Sequence, residues 1–311
     1  MIAAVTLVVV YALGAVLYLA FAVHALAHGT PATALVAGVF GAYFAVPFVA
    51  VVWWFALAWI YRSPRPPDKR IGVAATIRLF TDEVWSVAGS PIRMGILWWR
   101  MREPASAPAA APVLLVHGVG CNSGVWLRFL AYLRPRGIGP LYTISYEPPL
   151  ASLEVVAAQL SAKIDAIIGS TGAGRVILVC HSMGGLVARA YLRRFGTGKV
   201  RAVIAIGTPH RGSIHARAFP GACLAEMRPG SSWLEALNRE GLPQGVRCAA
   251  LWSWHDSMVA PQLSARWDSA ESVDFVGIGH NALLGHVGVF AKVAELVAQV
   301  QADAAAEPPR R

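Results

Sequence analysis

The stretch that decides the fold is Val176 to Ala190, VILVCHSMGGLVARA. Its apolar run Val176 to Val179 predicts a buried strand, and the apolar spacing after Ser182 predicts a helix. Ser182 lies at the corner, where a sharp turn points one side chain out of the sheet and leaves the first helical N–H groups unpaired. Gly184 and Gly185 allow other backbone segments to approach closely. The corner therefore suits a nucleophile.

The pentapeptide around Ser182 admits a second interpretation. The pattern GxSxG is met except at its first position, where Cys180 replaces Gly. An ordinary strand-to-helix turn with a surface serine has the same local signature, and a motif of this length requires support from its context. Motifs elsewhere in the chain are needed to distinguish a nucleophile at Ser182 from an ordinary surface serine.

Apolar strands and helices alternate downstream of residue 112. The predicted strands cover 113–118, 141–146, 176–179, 200–210, 248–256 and 273–280, and the predicted helices cover 126–133, 153–168 and about 287–300. Such alternation is typical of an α/β fold, a mostly parallel sheet with helices on both faces. Reactive groups collect at the carboxyl ends of these strands. His117, Ser182, Asp256 and His280 each lie at or just past the carboxyl end of a predicted strand.

Five motifs carry a resemblance to a known family. They are HGVG at 117–120, CHSMGG at 180–185, IGTPHRGS at 206–213, WHDSMVAP at 254–261 and GIGHNALL at 277–284. In this order they make the chain similar to bacterial lipases and related α/β-hydrolases. The resemblance covers about residues 112–300 and departs from the family pattern at Cys180. It implies an α/β-hydrolase fold.

The resemblance also implies roles for individual residues. Ser182 is the expected nucleophile, His280 the general base that activates it, and Asp256 the group that orients the imidazole. The backbone N–H groups of Val119 and Met183 are the expected oxyanion donors. No metal and no organic cofactor are expected.

Other residues compete for the two supporting roles. The position after a strand within GxGH favours His280 as the base, and the end of a strand favours Asp256 as the acid. The rivals are His255 and His286 for the base, and Asp268 and Asp274 for the acid.

The N-terminal part is far more apolar than the rest and predicts two transmembrane helices. Residues 2–27 and 32–61 contain no Asp, Glu, Lys or Arg, and each exceeds the roughly 20 residues that cross a bilayer core. Residues 1–62 are therefore expected to form a two-span hairpin. A cleaved signal peptide, one span with one buried helix, and two buried core helices are the alternatives.

The basic segment RSPRPPDKR, residues 62–70, follows the second run directly. By the positive-inside tendency it favours the cytoplasmic side of the inner (plasma) membrane for everything downstream. Residues 63–111 are expected to form a juxtamembrane helix at 71–87, an edge strand at 92–101 and a linker at 103–112. Residues 112–305 then form the catalytic domain.

Composition limits the classes of partner. The net charge is +10 and the mean hydropathy is +0.52, but no nucleic-acid-binding module interleaves basic and aromatic residues, which argues against nucleic acid. The four cysteines lack CxxC spacing, so they form neither a metal site nor a disulfide framework. The oligomeric state stays undetermined by the sequence.

The segment 210–242 is an insertion with two interpretations. Its apolar residues fit either an amphipathic lid over an acyl pocket or one or two helices packed into the core. Together these observations predict a membrane-anchored serine lipase or esterase that cleaves acylglycerol or phospholipid esters through an acyl-enzyme. The alternatives are an acyltransferase that uses the same acyl-enzyme and a non-catalytic membrane scaffold.

Overall fold

A computed structural model describes residues 2–101, 103–104 and 108–307 of the chain. The α-helices are α1 (Ile2–Ala27), α2 (Ala32–Ile60), α3 (Val73–Ala88), α4 (Leu127–Leu133), α5 (Leu153–Thr171), α6 (Met183–Phe195), α7 (Ala222–Glu226), α8 (Ser232–Arg239) and α9 (Val287–Ala306). The strands are β1 (Val113–Val116), β2 (Leu141–Ile144), β3 (Val176–His181), β4 (Val200–Ile206), β5 (Arg247–Ser253) and β6 (Glu271–Phe275).

The six strands form one sheet in the order β2-β1-β3-β4-β5-β6. Every neighbouring pair is parallel, and the register places Val116 beside Cys180 and His181 beside Ile206. The predicted parallel sheet is confirmed. Most strands end earlier than predicted, because the residues after them leave the ladder as loops at one edge of the sheet.

Two hydrophobic clusters cover the two faces of the sheet. Leu114 and Leu178 pack with Leu160 of α5 and the apolar side of α6, whereas the next residues along the strands, Leu115 and Val179, pack toward α4 and α9. Successive strand residues point to opposite faces, so both faces of β1 and β3 are buried. This explains the unbroken apolar runs in their sequences.

Helix α2 is the one described helix that is long and apolar enough to cross a membrane. In α1, the apolar part whose side chains are described, Ala12–Ala27, is shorter than a span. The prediction of two spans is therefore supported for one helix only. A long apolar helix near the N-terminus fits either a membrane anchor or a signal sequence.

The edge strand predicted at 92–101 is wrong. Ile92–Ile96 forms a turn of π-helix and Trp98–Arg100 a short 3₁₀ turn. The Leu97 N–H donates to the Ile92 carbonyl at 2.9 Å, so this backbone satisfies its hydrogen bonds locally. The linker predicted at 103–112 lies partly outside the described residues, since 105–107 are not described.

The insertion 210–242 contains the short helices α7 and α8. Leu234 and Leu237 of α8 are buried in the same cluster as α5 and α6. The Arg189 guanidinium on α6 donates to the Leu237 carbonyl at 3.0 Å. Of the two interpretations of this segment, the structure favours helices packed into the core.

Candidate active site

Ser182 occupies the turn between β3 and α6 with a strained backbone. Its φ is 55° and its ψ is −126°, a conformation that costs free energy for a residue other than glycine. Hydrogen bonds on both sides hold it: the Ser182 N–H donates to the Ile206 carbonyl, and the Thr208 hydroxyl donates to the Ser182 carbonyl, each at 2.8 Å. The side chain is thereby presented at the carboxyl edge of the sheet.

Close backbone approaches explain the glycines around this turn. A Cβ atom at Gly184 would lie 2.4 Å from the Val116 carbonyl oxygen, and one at Gly118 would lie 2.8 Å from the Ser182 Cβ. Neither position has room for a side chain. Cys180, where the family pattern has Gly, is fully buried in the core, and the sharp turn forms with cysteine at this position.

His280 and Asp256 lie side by side in loops after β6 and β5. The His280 Nδ1 is 2.9 Å from the Asp256 Oδ2. The other carboxylate oxygen of Asp256 accepts from the N–H groups of Met258 and Val259 at 2.8 and 2.7 Å. The carboxylate is therefore fixed at both oxygens, and one oxygen is aimed at the imidazole.

Charge and burial act in opposite directions on His280. Burial lowers its pKa, but the charge of Asp256, the hydrogen bond to it and the charge of Glu83 together outweigh burial. The pKa of His280 therefore lies above its usual value of 6.5. A neutral imidazole in this position is a stronger base than a free histidine.

Ser182 and His280 line the same cavity, which has a volume of about 340 Å³. Val119, in the loop after β1, lines it as well. Met183 is the first residue of α6, so its N–H has no acceptor within the helix. The structure thus brings the five residues predicted for the site to one edge of the sheet.

The profile of the alpha/beta hydrolase family matches residues 113–308. The chain belongs to the alpha/beta hydrolase family. The family and the fold that the five motifs imply are confirmed.

Solved structures with the same fold include two lipases. The mature lipase of Bacillus licheniformis is 20% identical with a TM-score of 0.56, over 62% of this hydrolase and 95% of that chain. Lipase B of Aspergillus fumigatus is 17% identical with a TM-score of 0.55, over 63% of this hydrolase and 55% of that chain. Likeness at these identities establishes the fold alone.

Sequence relatives cover a shorter stretch. Triacylglycerol lipases of Pseudarthrobacter phenanthrenivorans and Burkholderia plantarii are each 46% identical to the hydrolase over 55 residues, or 18% of its chain. That stretch spans 17% and 15% of the two relatives. The chain thus spans less than a fifth of the length of these two relatives.

Of the described residues that line the cavity with Ser182 and His280, none is one of the four rivals. Asp268 pairs with Arg211 at the surface and Asp274 with Lys69, each at 2.6 Å. Asp274 also accepts from the Trp254 indole. The rivals for the base, His255 and His286, are not among the described residues that line the cavity.

Two other histidines near the cavity have structural contacts. The His117 ring stacks on Tyr146, and its Nδ1 is 2.8 Å from the Gly118 carbonyl oxygen. Burial lowers the pKa of His117 to about 4. His181 Nε2 lies 3.3 Å from the His280 carbonyl oxygen, and burial lowers its pKa well below the usual value. Both rings are therefore neutral near pH 7 and hold loops.

The cavity is covered by a part of the chain that the sequence did not predict to be near it. Its wall includes Val46, Pro47, Ala50 and Trp54 of α2, together with the end of α3 and the turn after it. Among the described residues, none of 210–242 lines the cavity. Helix α2 and the end of α3 cover the cavity, where one interpretation of the sequence had placed segment 210–242 as a lid.

Glu83 on α3 holds the loop that follows His280, a contact that sequence reasoning missed. It is fully buried, and its carboxylate accepts from the Ser257 hydroxyl at 2.6 Å, from Asn281 N and Nδ2 at 3.0 and 2.9 Å, and from Ala282 N at 3.0 Å. Asn281 and Ala282 directly follow His280. In the sequence Glu83 is one of several charged residues of an amphipathic helix, and nothing there identifies its partners.

We expect Glu83→Gln to lower kcat/KM about tenfold or more, because a displacement of about 1 Å at a catalytic group can cost about 10²-fold. The charge of Glu83 raises the pKa of His280, so its removal should also shift the acidic limb of the pH profile to lower pH. Asp82→Asn is the matched control, since Asp82 is exposed and pairs with Arg78. An unchanged rate and an unchanged limb would contradict a positioning role for Glu83.

Proposed function

We propose that this α/β-hydrolase is a membrane-anchored serine hydrolase that cleaves carboxylic esters through an acyl-enzyme. The observation that carries the proposal is the strained Ser182 turn opening into the cavity that His280 also lines. The Asp256 carboxylate beside the His280 ring supports the same assignment. Proximity of a hydroxyl, an imidazole and a carboxylate is the arrangement that activates a serine.

The first half of the reaction acylates Ser182. The Ser182 Oγ attacks the ester carbonyl carbon while His280 Nε2 takes the hydroxyl proton, and Asp256 stabilises the imidazolium that forms. The tetrahedral intermediate then expels the alcohol, which receives that proton from His280. The products of this half are the free alcohol and an acyl ester on Ser182.

Water completes the reaction by the same route. His280 removes a proton from the water as its oxygen attacks the acyl carbon, and the proton returns to Ser182 Oγ as the bond to the acid breaks. In both halves the developing oxyanion accepts hydrogen bonds from the Val119 and Met183 N–H groups. Removing one such donor typically costs about 10²-fold or more in rate.

Lipid esters are the substrate class that the surroundings favour. The long apolar helix α2 forms part of the cavity wall, and a membrane anchor would concentrate the enzyme where such esters occur. The hairpin of α1 and α2 is the proposed anchor. The basic segment 62–70 favours the cytoplasmic side for the catalytic domain.

The proposal is tested on the full chain purified in detergent, with p-nitrophenyl esters and emulsified triacylglycerol or phospholipid as substrates. We expect hydrolysis of the esters with release of the free acid. Transfer of the acyl group to an added alcohol in preference to water would instead indicate an acyltransferase. Absence of turnover in the folded protein on every ester would contradict the proposal.

The raised pKa of His280 sets the expected pH dependence. The base must be neutral to accept a proton, and its protonated fraction grows as the pH falls toward its pKa. Because that pKa lies above 6.5, kcat/KM should fall on the acidic side with a midpoint above 6.5. A pH profile of kcat/KM on a soluble ester measures this, and a midpoint clearly below 6.5 would contradict it.

A further inference from the structure

Helix α2 contributes one continuous face to the cavity that holds Ser182. Pro47, Ala50 and Trp54 are spaced at helical intervals along that face. The cavity volume of about 340 Å³ is within the roughly 300–1,000 Å³ typical of small-ligand sites. A long apolar helix is therefore a wall of the reaction site.

Several contacts hold this part of α2 against α3 and the insertion 210–242. The Phe48 and Phe80 rings meet edge to face with centroids 5.3 Å apart, and Phe44 meets Trp85 at 4.9 Å. The His215 Nε2 is 3.2 Å from the Trp54 carbonyl oxygen. The cavity wall is thus packed against both α3 and the insertion.

The cavity also reaches the outer surface of α2. Val46 lines the cavity and is nevertheless 71% exposed. The apolar surface continues onto α3, where Val73, Ile77 and Trp85 are 78%, 61% and 66% exposed. An exposed apolar surface continuous with a membrane-length helix matches a lipid environment better than water.

The length of α2 indicates how deep in the membrane the cavity opens at Val46. If the loop 28–31 lies at one face of the membrane, about 20 residues of α2 cross the hydrocarbon core, which places the other boundary near Val51. Val46 then lies on the hydrocarbon side of the boundary and Trp54 on the interfacial side. Tryptophan is enriched at such interfaces.

We propose that α2 forms the wall of the acyl-chain site and that a membrane lipid reaches Ser182 sideways from the bilayer, with its acyl chain along Pro47 and Ala50 toward Val46. This inference rests on the proposed serine hydrolase function. The scissile ester would lie at Ser182 near the interface, and the chain would extend into the hydrocarbon. Insertion helices α7 and α8 would make no contact with the chain.

Photo-crosslinking tests the path directly in the full chain reconstituted into phosphatidylcholine vesicles. The probe is a hexadecyl fluorophosphonate with a diazirine in the part of its chain next to the phosphonate, which bonds to Ser182 before irradiation. We expect crosslinks within residues 46–54. Crosslinks within 222–239 would overturn the inference while leaving the hydrolase function intact. Failure to label Ser182 at all would remove the proposed function and this inference with it.

A matched pair of variants tests, without a probe, whether α2 forms the wall of the acyl-chain site. Ala50→Phe should lower the ratio of kcat/KM for p-nitrophenyl palmitate over p-nitrophenyl acetate about tenfold or more, because small changes of volume in an apolar pocket have effects of this size. Val49→Phe is the control, since Val49 is 65% exposed and does not line the cavity. An unchanged ratio in a folded Ala50→Phe protein, or equal changes in both variants, would overturn the inference.

Discussion

Ser182→Ala is expected to lower kcat for a soluble ester by at least about 10⁴-fold, because no acyl-enzyme can form without the hydroxyl. The remaining rate would come from binding and from the oxyanion donors alone. The measurement is hydrolysis of p-nitrophenyl butyrate by the purified full chain. Thermal unfolding of the variant reports whether the turn still folds.

Ser170→Ala provides the matched control for that experiment. Ser170 lies near the end of α5, where its hydroxyl donates to the Ile167 carbonyl at 3.0 Å. This variant removes a hydroxyl away from the cavity and should keep the wild-type rate. A Ser182→Ala protein that keeps more than a tenth of the wild-type kcat would contradict the role of Ser182.

Asp256→Asn is expected to lower kcat/KM by about 10⁴-fold, the size of effect seen when an orienting carboxylate becomes an amide. The Asp256 Oδ2 lies beside His280 Nδ1 and holds the proton on that nitrogen, which leaves Nε2 free to accept the serine proton. An amide can instead donate to Nδ1 and favour the inactive tautomer. The loss should appear mainly in kcat.

Asp268→Asn controls for the loss of one carboxylate charge. Asp268 is an exposed residue paired with Arg211, so this variant should keep a rate close to that of the wild type. The assignment of the acid would be contradicted if Asp256→Asn stayed within tenfold of the wild type. It would also be contradicted if Asp268→Asn or Asp274→Asn showed the larger loss.

The core of the fold was predictable because local pattern and motif agree there. Buried parallel strands need apolar side chains on both faces, so β1 and β3 appear as unbroken apolar runs. Parallel strands also place their carboxyl ends together, which explains why predicted strand ends and motifs alone suggest one site for residues as distant as Ser182 and His280. The glycines of the turn follow from close backbone contact.

The N-terminal contacts were not predictable, since they join segments that are remote in the chain. Glu83 and Asn281 are 198 residues apart, and the cavity wall of α2 precedes Ser182 by more than a hundred residues. Helical periodicity identifies an apolar face but does not specify what covers it. The apolar run at 92–101 does not reveal its helical turns, because short apolar runs fit strands and helical turns equally well.

The most direct test of the central claim is to treat the folded wild-type protein with a fluorophosphonate and to map the adduct by mass spectrometry. An adduct on Ser182 that forms in wild type and not in His280→Ala is the predicted result, because only a serine activated by its base reacts readily. No adduct in wild type, or an adduct on another residue, would contradict the claim that Ser182 is the activated nucleophile.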